Sequence, residues 1–174
     1  APYGVNVIFS TIRFDGGMSQ YRRVRIPGAS VFFTVSLAER GSTLLCDEVA
    51  RLRLAIALTQ RERPFTIDAF VVLPDHLHCV WTLPERDSDY SLRWRLIKSR
   101  FSMGLARRGL RASHLARHER GIWQRRFWEH HIRDEADYRA HLAYCQNNPV
   151  KHGLVEAPEQ WPFSSIHRDR ARGA

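Results

Sequence analysis

The sequence predicts an α+β domain built on one antiparallel sheet, and three observations lead there. Short β-branched and aromatic runs alternate with longer stretches of helical spacing, in the order βαββαβ. The link between the second and third runs is only Pro74-Asp75, which favours antiparallel pairing of those strands. Hydrophobic residues make up 44% of the 174 residues, enough for one core without disulfides. This order is that of a ferredoxin-like sheet, followed here by an additional C-terminal helix and a basic tail.

The first half supplies three strands and one helix. Residues 31–37 predict the first strand, because they are β-branched and aromatic. A helix begins at Asp47 and continues to about Arg61, and Pro64 stops it. Residues 65–73 and 76–83 predict the second and third strands.

The second half supplies two helices and a short strand. Residues 91–108 predict a helix whose inward-facing residues are Leu92, Leu96, Phe101 and Leu105. Residues 127–132 predict a fourth strand. Asp134 then caps a helix that ends at Pro149 or Gly153.

The chain is expected to form one domain with short extensions. We interpret residues 1–17 as a leader or an added extension that precedes a native start at Met18. Residues 18–154 form the single domain, and residues 155–174 form the basic tail. Residues 104–120, rich in Arg, Gly and His, predict a mobile loop.

Charge points to a polyanionic partner. There are 27 Lys and Arg against 18 Asp and Glu, a formal net charge of +9 at pH 7. That surplus favours nucleic acid or an anionic membrane, and no apolar run approaches the roughly 18 residues of a membrane span. Three scattered cysteines without a CxxC motif exclude a disulfide scaffold and a cysteine zinc finger. They predict a cytoplasmic protein, associated with the nucleoid if nucleic acid is its partner.

His76-Leu77-His78 lies within a predicted strand, so both imidazoles project from one face. Two adjacent imidazoles are half of a divalent-metal site, although surface histidines would give the same pattern. A histidine-triad hydrolase would need a third histidine at position 80, which is Val80, and a metal-dependent barrel hydrolase would need a longer chain. A single-strand nuclease or transposase would need a tyrosine and a further ligand on a helix.

The last predicted helix offers two tyrosines with different positions. At about 100° per residue, Tyr138, Leu142 and Cys145 form one stripe, which predicts packing against the sheet. Tyr144 lies about 120° away from that stripe. Asn148 follows Tyr144 by one turn, where its amide oxygen could serve a metal next to the tyrosine.

Four motifs in this order resemble the REP-associated tyrosine transposases, bacterial relatives of single-strand transposases that carry a His-hydrophobic-His motif. The resemblance extends from about residue 18 to residue 172. Its motifs are Pro74-Asp75-His76-Leu77-His78-Cys79-Val80-Trp81, Trp123-Gln124-Arg125-Arg126-Phe127-Trp128-Glu129-His130, Tyr144 followed by Asn148-Pro149-Val150-Lys151-His152-Gly153, and Trp161-Pro162-Phe163-Ser164-Ser165.

The resemblance implies a fold, a reaction and a set of residues. The fold is ferredoxin-like, the metal is Mg²⁺ or Mn²⁺, and the substrate is single-stranded DNA with imperfect palindromic hairpins. His76 and His78 match the metal ligands, and Tyr144 matches the nucleophile that forms a 5′-phosphotyrosine. Asn148 takes the position of a third, helical ligand, although the polar residues 145–147 depart from the family pattern. The resemblance also implies a monomer.

Arginines interleaved with aromatic residues predict the DNA-binding surface, because charge suits phosphates and rings suit unpaired bases. Trp94 is the aromatic member of the cluster on the second helix. The predicted DNA-binding residues are Tyr21, Arg22, Arg23, Arg25, Arg93, Arg95, Lys98, Arg100, Arg125, Arg126, Lys151, His152 and Arg168. Two alternatives stay open: a non-catalytic nucleic-acid-binding module on the same fold, and a metal-dependent nuclease that uses water in place of tyrosine.

Overall fold

A computed structural model of the chain describes residues 23–106 and 120–173. The predicted extension at residues 1–17, Tyr21, Arg22 and most of the predicted loop at 104–120 lie outside the described residues.

Four antiparallel strands form one sheet, in the order β2-β3-β1-β4. The strands are β1 (Ser30–Ser36), β2 (Thr66–Val72), β3 (His76–Thr82) and β4 (Trp128–His131). β1 and β3 are central, so each is paired on both sides, whereas β2 and β4 are the edges. The predicted ferredoxin-like sheet is confirmed.

The helices follow the predicted order, with one division and one addition. They are α1 (Leu44–Asp47), α2 (Val49–Glu62), α3 (Tyr90–Ser102), α4 (Glu135–Lys151), a 3-10 turn (Pro158–Gln160) and α5 (Ile166–Gly173). The helix expected from Asp47 is interrupted at Glu48, whose backbone leaves the helical region. α5 lies in the segment that the sequence predicted only as a basic tail.

The two faces of the sheet carry separate hydrophobic clusters. On one face, residues such as Phe33, Cys79 and Trp81 pack against α2 and α3. On the other face, Phe32 and Val80 pack against α4. This division follows from the alternation of side chains along each strand, which sends His76 and His78 to the face of α4.

α3 buries Phe101 as predicted, but the rest of its buried face differs from the predicted one. Its buried apolar residues include Trp94, Ile97 and Phe101, while Leu92 and Leu96 are only half-buried. The reason is the Trp94 indole, which stacks on Trp81 with ring centroids 4.3 Å apart and so fixes the rotation of the helix. The helix also ends at Ser102 rather than near residue 108, because Gly104 turns the chain with a φ of 80°.

α4 continues through Pro149 and ends at Lys151. Gly153 stops it, with a φ of 67° that suits glycine in a helix-terminating turn. Of the two predicted ends, Gly153 is therefore the observed one. The extra turn carries Lys151 and His152 toward β3, the strand that bears the two histidines.

Described residues of the C-terminal segment cover the β2 edge. Ser164 forms a β-bridge with Val71, and the Trp161 indole N–H donates to the Val72 carbonyl at 2.8 Å. The Ser165 N–H donates to the Phe70 carbonyl at 2.7 Å. These bonds satisfy backbone groups that an edge strand would otherwise expose.

Candidate functional site

The two histidines of β3 lie side by side on the α4 face, with ring centroids 5.0 Å apart. His76 Nδ1 is 2.6 Å from Asp75 Oδ1, and His78 Nδ1 is 2.8 Å from Thr34 Oγ1. Burial tends to raise the pKa of Asp75, but hydrogen bonds from His76 and from the Gly41 N–H outweigh it and lower that pKa. An ionised carboxylate only accepts, so His76 Nδ1 carries the hydrogen of this bond, and in the neutral ring Nε2 is the nitrogen with the lone pair.

His78 is neutral at physiological pH. Burial lowers its pKa to about 3, and positive charge at His76, His152 and Lys151 acts in the same direction. A neutral imidazole is the form that binds a metal ion. With Nδ1 engaged by Thr34, Nε2 is the ring nitrogen left for a ligand.

Tyr144 lies next to His78, with ring centroids 5.2 Å apart. Its ring also contacts the edge of Phe32 at 5.7 Å, and Lys151 Nζ lies 5.1 Å from the ring centroid. Burial raises the pKa of Tyr144, an effect that the Asn148 side chain opposes. The phenol is therefore protonated at neutral pH and would need activation to act as a nucleophile.

Tyr138 occupies the packing position that the helical stripe predicts. Its ring is partly buried against the cluster of Phe32, Val80 and Cys145. Burial raises its pKa, and the neighbouring Asp68 carboxylate raises it further. Tyr138 thus packs against the sheet as the stripe predicts, but Tyr144 contacts the same cluster, and the choice of Tyr144 as the nucleophile stays a prediction.

Asn148 is 1% exposed, and among the described residues no hydrogen bond of ordinary geometry reaches its amide oxygen or nitrogen, although its side chain lies close enough to Tyr144 to lower that residue's pKa. A buried amide without partners costs free energy unless another group binds it. Together with Nε2 of His76 and His78 it would make up a nitrogen and oxygen donor set without negative charge. These donors fit a divalent cation, and Asp75 and Thr34 orient the imidazoles in the way that outer partners orient metal-bound histidines.

Sequence reasoning missed three contributors to this site. Asp75 belongs to a quoted motif, and its position directly before His76 could have indicated a partner for that ring. Thr34 and Phe32 gave no such signal, because their role depends on the register in which Thr34 pairs with His78 and Phe32 with Val80.

A second group of possible metal ligands lies between β4 and the first turns of α4. His130, Asp137 and His141 each offer one ligand atom, and these atoms lie within 4.8 Å of one another. His130 Nε2 is 2.8 Å from Asp137 Oδ2, and His141 Nδ1 is 3.1 Å from Asp137 Oδ1. Burial tends to raise the pKa of Asp137, but hydrogen bonds from His130 and Arg133 prevail and lower it to about 2. The sequence analysis assigned no role to this group.

Several predicted DNA-binding residues meet in a cleft on the other face of the sheet. The cleft has a volume of about 610 Å³, and Trp123 and Phe127 form part of its wall. Four of the predicted residues line it: Arg23, Arg95, Lys98 and Arg125. Arg120, which was not predicted, lines it as well.

Arg93 is not a DNA contact, which corrects the prediction. Its side chain is 1% exposed, and its guanidinium donates to both oxygens of Asp87, at 3.1 and 2.9 Å. It also donates to the carbonyls of Arg63 and Pro64. Trp94 is fully buried beside it and cannot stack on a base. Since α3 is rotated relative to the predicted face, both side chains lie in the interior.

Two further predicted arginines bind the protein itself. Arg100 donates to Thr59 at 2.7 Å and pairs with Glu62 at 2.5 Å, so its charge is matched on α2. Arg168 donates to the carbonyls of Ile67 and Asp68, each at 3.0 Å, and so braces the β2 edge. Both side chains keep exposed surface, so these partners do not exclude contact with DNA, and that role stays a prediction.

The remaining predicted residues divide between the two faces. His152 stands with its ring centroid 5.1 Å from that of His76, and Lys151 lies over Tyr144, so both belong to the histidine site. Arg126 is exposed. Arg25 is exposed as well and lies 3.8 Å from Asp89.

Comparison with known proteins places this geometry in a family. No family model matches the chain. The "REP-associated tyrosine transposase" of Escherichia coli strain K12 is 52% identical over 156 residues, which cover 90% of this chain and 87% of that protein. A relative of the same family name from Haemophilus influenzae is 44% identical over 154 residues, 87% of this chain and 88% of that protein.

A solved structure agrees with the sequence relatives. It is described as a REP-associated tyrosine transposase bound to a REP hairpin. It superimposes with a TM-score of 0.78 at 51% identity, over 90% of this chain and 87% of that one. In the described part of the present chain, no helix is long and apolar enough to cross a membrane. With its histidine pair and its helical tyrosine on one face of a ferredoxin-like sheet, the chain belongs to the family of REP-associated tyrosine transposases.

Proposed function

We propose that this protein cleaves and rejoins single strands of DNA at REP-type hairpins, with Tyr144 as the nucleophile. The observation that carries the proposal is the contact of Tyr144 with His78, at 5.2 Å between ring centroids, on the face where both histidines of the HxH motif project. The nucleophile thus lies beside the two histidines that would bind the phosphate through a metal. Such proximity favours phosphoryl transfer, because it holds the reacting groups together.

The reaction follows from the chemistry of the phenol. The Tyr144 oxygen attacks the phosphorus and loses its proton to solvent, while the bond to the 3′ oxygen breaks and that oxygen leaves as a hydroxyl. The product is a 5′-phosphotyrosine that retains the energy of the phosphodiester. A 3′-OH can therefore attack it in the reverse direction and rejoin two strands.

His76, His78 and Asn148 would hold a divalent metal, Mg²⁺ or Mn²⁺. Bound there, the metal would supply Lewis-acid polarisation of the scissile phosphate and offset its developing charge. Two imidazoles and an amide bring no negative charge of their own, so they would leave the charge of the cation available to the DNA phosphate. Lys151, over the Tyr144 ring, adds positive charge where the phenol loses its proton.

The partner would be DNA with an imperfect palindromic hairpin and a single-stranded flank, bound by a monomer. Support comes from the net charge of +9 and from the basic cleft lined by Arg23, Arg95, Lys98 and Arg125. Charge of this kind would bind hairpin phosphates whatever their sequence. The solved relative bound to a REP hairpin favours the same class of substrate.

The test is a denaturing gel with labelled hairpin DNA, Mn²⁺ and either the wild-type protein or Tyr144→Phe. A labelled fragment that stays with the wild-type protein, maps to Tyr144 by mass spectrometry and is absent from Tyr144→Phe supports the proposal. Cleavage with free ends in both proteins would instead identify a water-using nuclease. Binding without cleavage would identify a non-catalytic nucleic-acid-binding module.

A further inference from the structure

Trp128 is a large aromatic residue that the fold leaves exposed. It begins the edge strand β4, and its relative exposure is 55%. Burial of a tryptophan ring gives one of the largest hydrophobic free energies of any side chain. An exposed indole therefore suggests a binding role. Neither the hydrophobic cores nor the histidine site accounts for it.

The register of the sheet puts Trp128 on the face of the histidine site. Thr34 of β1 pairs with His78 on one side and with Trp128 on the other, so the three residues form one row across the sheet. Neighbouring strands are separated by about 4.8 Å, which puts Trp128 about 10 Å from His78 in that row. α4 covers β2 and β3 more than the β4 edge, so the Trp128 end of the row is open.

Trp128 also joins the ring cluster around Tyr144. Its ring lies nearly parallel to that of His130, at 7° and 6.0 Å, and His130 lies nearly parallel to His141, at 19° and 4.7 Å. The edge of the indole contacts Phe32 at 5.7 Å, and Phe32 contacts Tyr144 at the same centroid distance. A chain of ring contacts therefore connects the exposed indole to the proposed nucleophile.

Asp137 holds the ring stack in place. Its two oxygens contact His130 and His141, at 2.8 and 3.1 Å, so neither imidazole can turn without breaking a hydrogen bond to a carboxylate. A platform fixed in this way loses little conformational entropy when a flat ligand stacks on it.

We infer that Trp128 is a stacking platform for one unpaired nucleobase of the DNA strand that reaches Tyr144. The inference rests on the proposed function, because it takes single-stranded DNA as the ligand. A nucleobase fits these observations: it is planar, it matches the exposed indole, and stacking of bases on aromatic rings tolerates any sequence. A fully paired stem offers no free base face beside the scissile phosphate and would gain nothing from Trp128.

The test measures DNA binding by fluorescence anisotropy at one fixed salt concentration. Every protein carries Tyr144→Phe so that the DNA stays intact. The variants are Trp128→Ala and Trp128→Phe, and the matched control is Leu54→Ala, which removes an apolar side chain of 60% exposure from α2 on the other face. Two DNAs are compared, the hairpin with an unpaired 5′ flank and the same hairpin without the flank.

Trp128→Ala should weaken binding of the flanked hairpin about fivefold to a hundredfold, the range that loss of one base–aromatic stack gives. Trp128→Phe should keep most of the affinity, and Leu54→Ala should change nothing. Binding of the hairpin without a flank should be the same for all variants. An abasic substitution at one flank position should weaken binding to the protein that retains Trp128 and have no further effect on Trp128→Ala, which identifies the stacked base.

Equal affinities for the flanked hairpin with and without the Trp128→Ala substitution would overturn the inference, as would an equal loss on both DNAs. The adduct assay with the intact nucleophile separates this failure from failure of the proposed function. If the wild-type protein forms an adduct while Trp128→Ala binds normally, the stacking platform alone is wrong. If no adduct forms, the cleavage proposal is wrong, and the binding measurements still decide whether Trp128 stacks on a base.

Discussion

Asp75→Asn is the sharpest single test of the proposed metal site. The wild-type carboxylate accepts two hydrogen bonds, from His76 Nδ1 at 2.6 Å and from the Gly41 N–H at 2.8 Å. Asparagine has the same shape but only one accepting oxygen. If that oxygen stays on Gly41, the amide NH₂ faces His76 Nδ1 and selects the tautomer with hydrogen on Nε2, which cannot bind a metal.

The expected loss follows from the role of such outer partners. Removing one typically costs 10- to 100-fold in metal affinity, which is about 1.4 to 2.8 kcal/mol. We therefore expect the Kd for Mn²⁺ to rise by that factor and adduct formation to recover when Mn²⁺ is raised in proportion. Asp75→Glu, which keeps the charge, should recover part of the affinity.

Calorimetric titration with Mn²⁺ measures the effect directly, and adduct formation against Mn²⁺ concentration measures it through the reaction. Asp47→Asn is the matched control, because Asp47 is an acceptor for Thr43 on α1 and does not touch the histidines. An unchanged Mn²⁺ affinity in Asp75→Asn, or an equal loss in Asp47→Asn, would refute the assignment of His76 Nε2 as a metal ligand.

Four further outcomes are expected. Tyr144→Phe should abolish the covalent adduct with little change in DNA affinity. Tyr138→Phe should keep adduct formation and lower the free energy of urea unfolding by at most about 1 kcal/mol. An adduct that mass spectrometry maps to Tyr138 would show that Tyr144 is not the nucleophile. Mn²⁺ should support cleavage at lower concentration than Mg²⁺, because imidazole donors favour Mn²⁺; an equal requirement in parallel titrations would contradict the donor set. The folded-state pKa of Asp137 lies at about 2, below its unfolded value, so the stability it contributes is full above about pH 4 and is lost as the pH falls toward 2. Plots of Tm against pH for the wild type and Asp137→Asn should therefore converge over that interval. Parallel plots would show that the contacts of Asp137 with the histidines do not stabilise the fold. Arg93→Ala should lower the free energy of unfolding by about 2–4 kcal/mol, because it leaves the hydrogen-bond partners of a buried charge unpaired. Arg95→Ala should leave stability unchanged and reduce the slope of log K for DNA binding against log salt concentration by about one. A stable Arg93→Ala, or an Arg95→Ala with an unchanged slope, would show that the burial argument is wrong.

The fold and the central site could be predicted from the sequence because their signals are local. Strand alternation put His76 and His78 on one face, and helical spacing separated Tyr138 from Tyr144. Neither inference needs a long-range contact. The Pro74-Asp75 link likewise determined an antiparallel pair through its length alone.

The errors arose where tertiary packing decides. Arg93 and Arg95 lie two positions apart on one helix and read alike in the sequence, but the stack of Trp94 on Trp81 turns Arg93 inward and leaves Arg95 on the cleft. The bond of Arg168 to β2 was not predicted either, since nothing local shows that the tail returns to that strand. The contact of Thr34 with His78 could be found only from the register in which β1 pairs with β3.

Packing also determines which polar side chains of α4 face the sheet. Asp137, His141, Tyr144 and Asn148 follow one another at intervals of four, three and four residues, so they lie within an arc of about 60°. A rotation of the helix by one residue would move each of them by about 100° and remove all four from the sheet together. The bond from Asp137 to His130 ties the first turn to β4, and the buried Cys145 and Asn148 fix the last turns against the sheet. The histidine–aspartate network and the Tyr144 site are thus two ends of one helical face, so the bond between His130 and Asp137 also helps to keep Tyr144 on the side of α4 that faces the sheet.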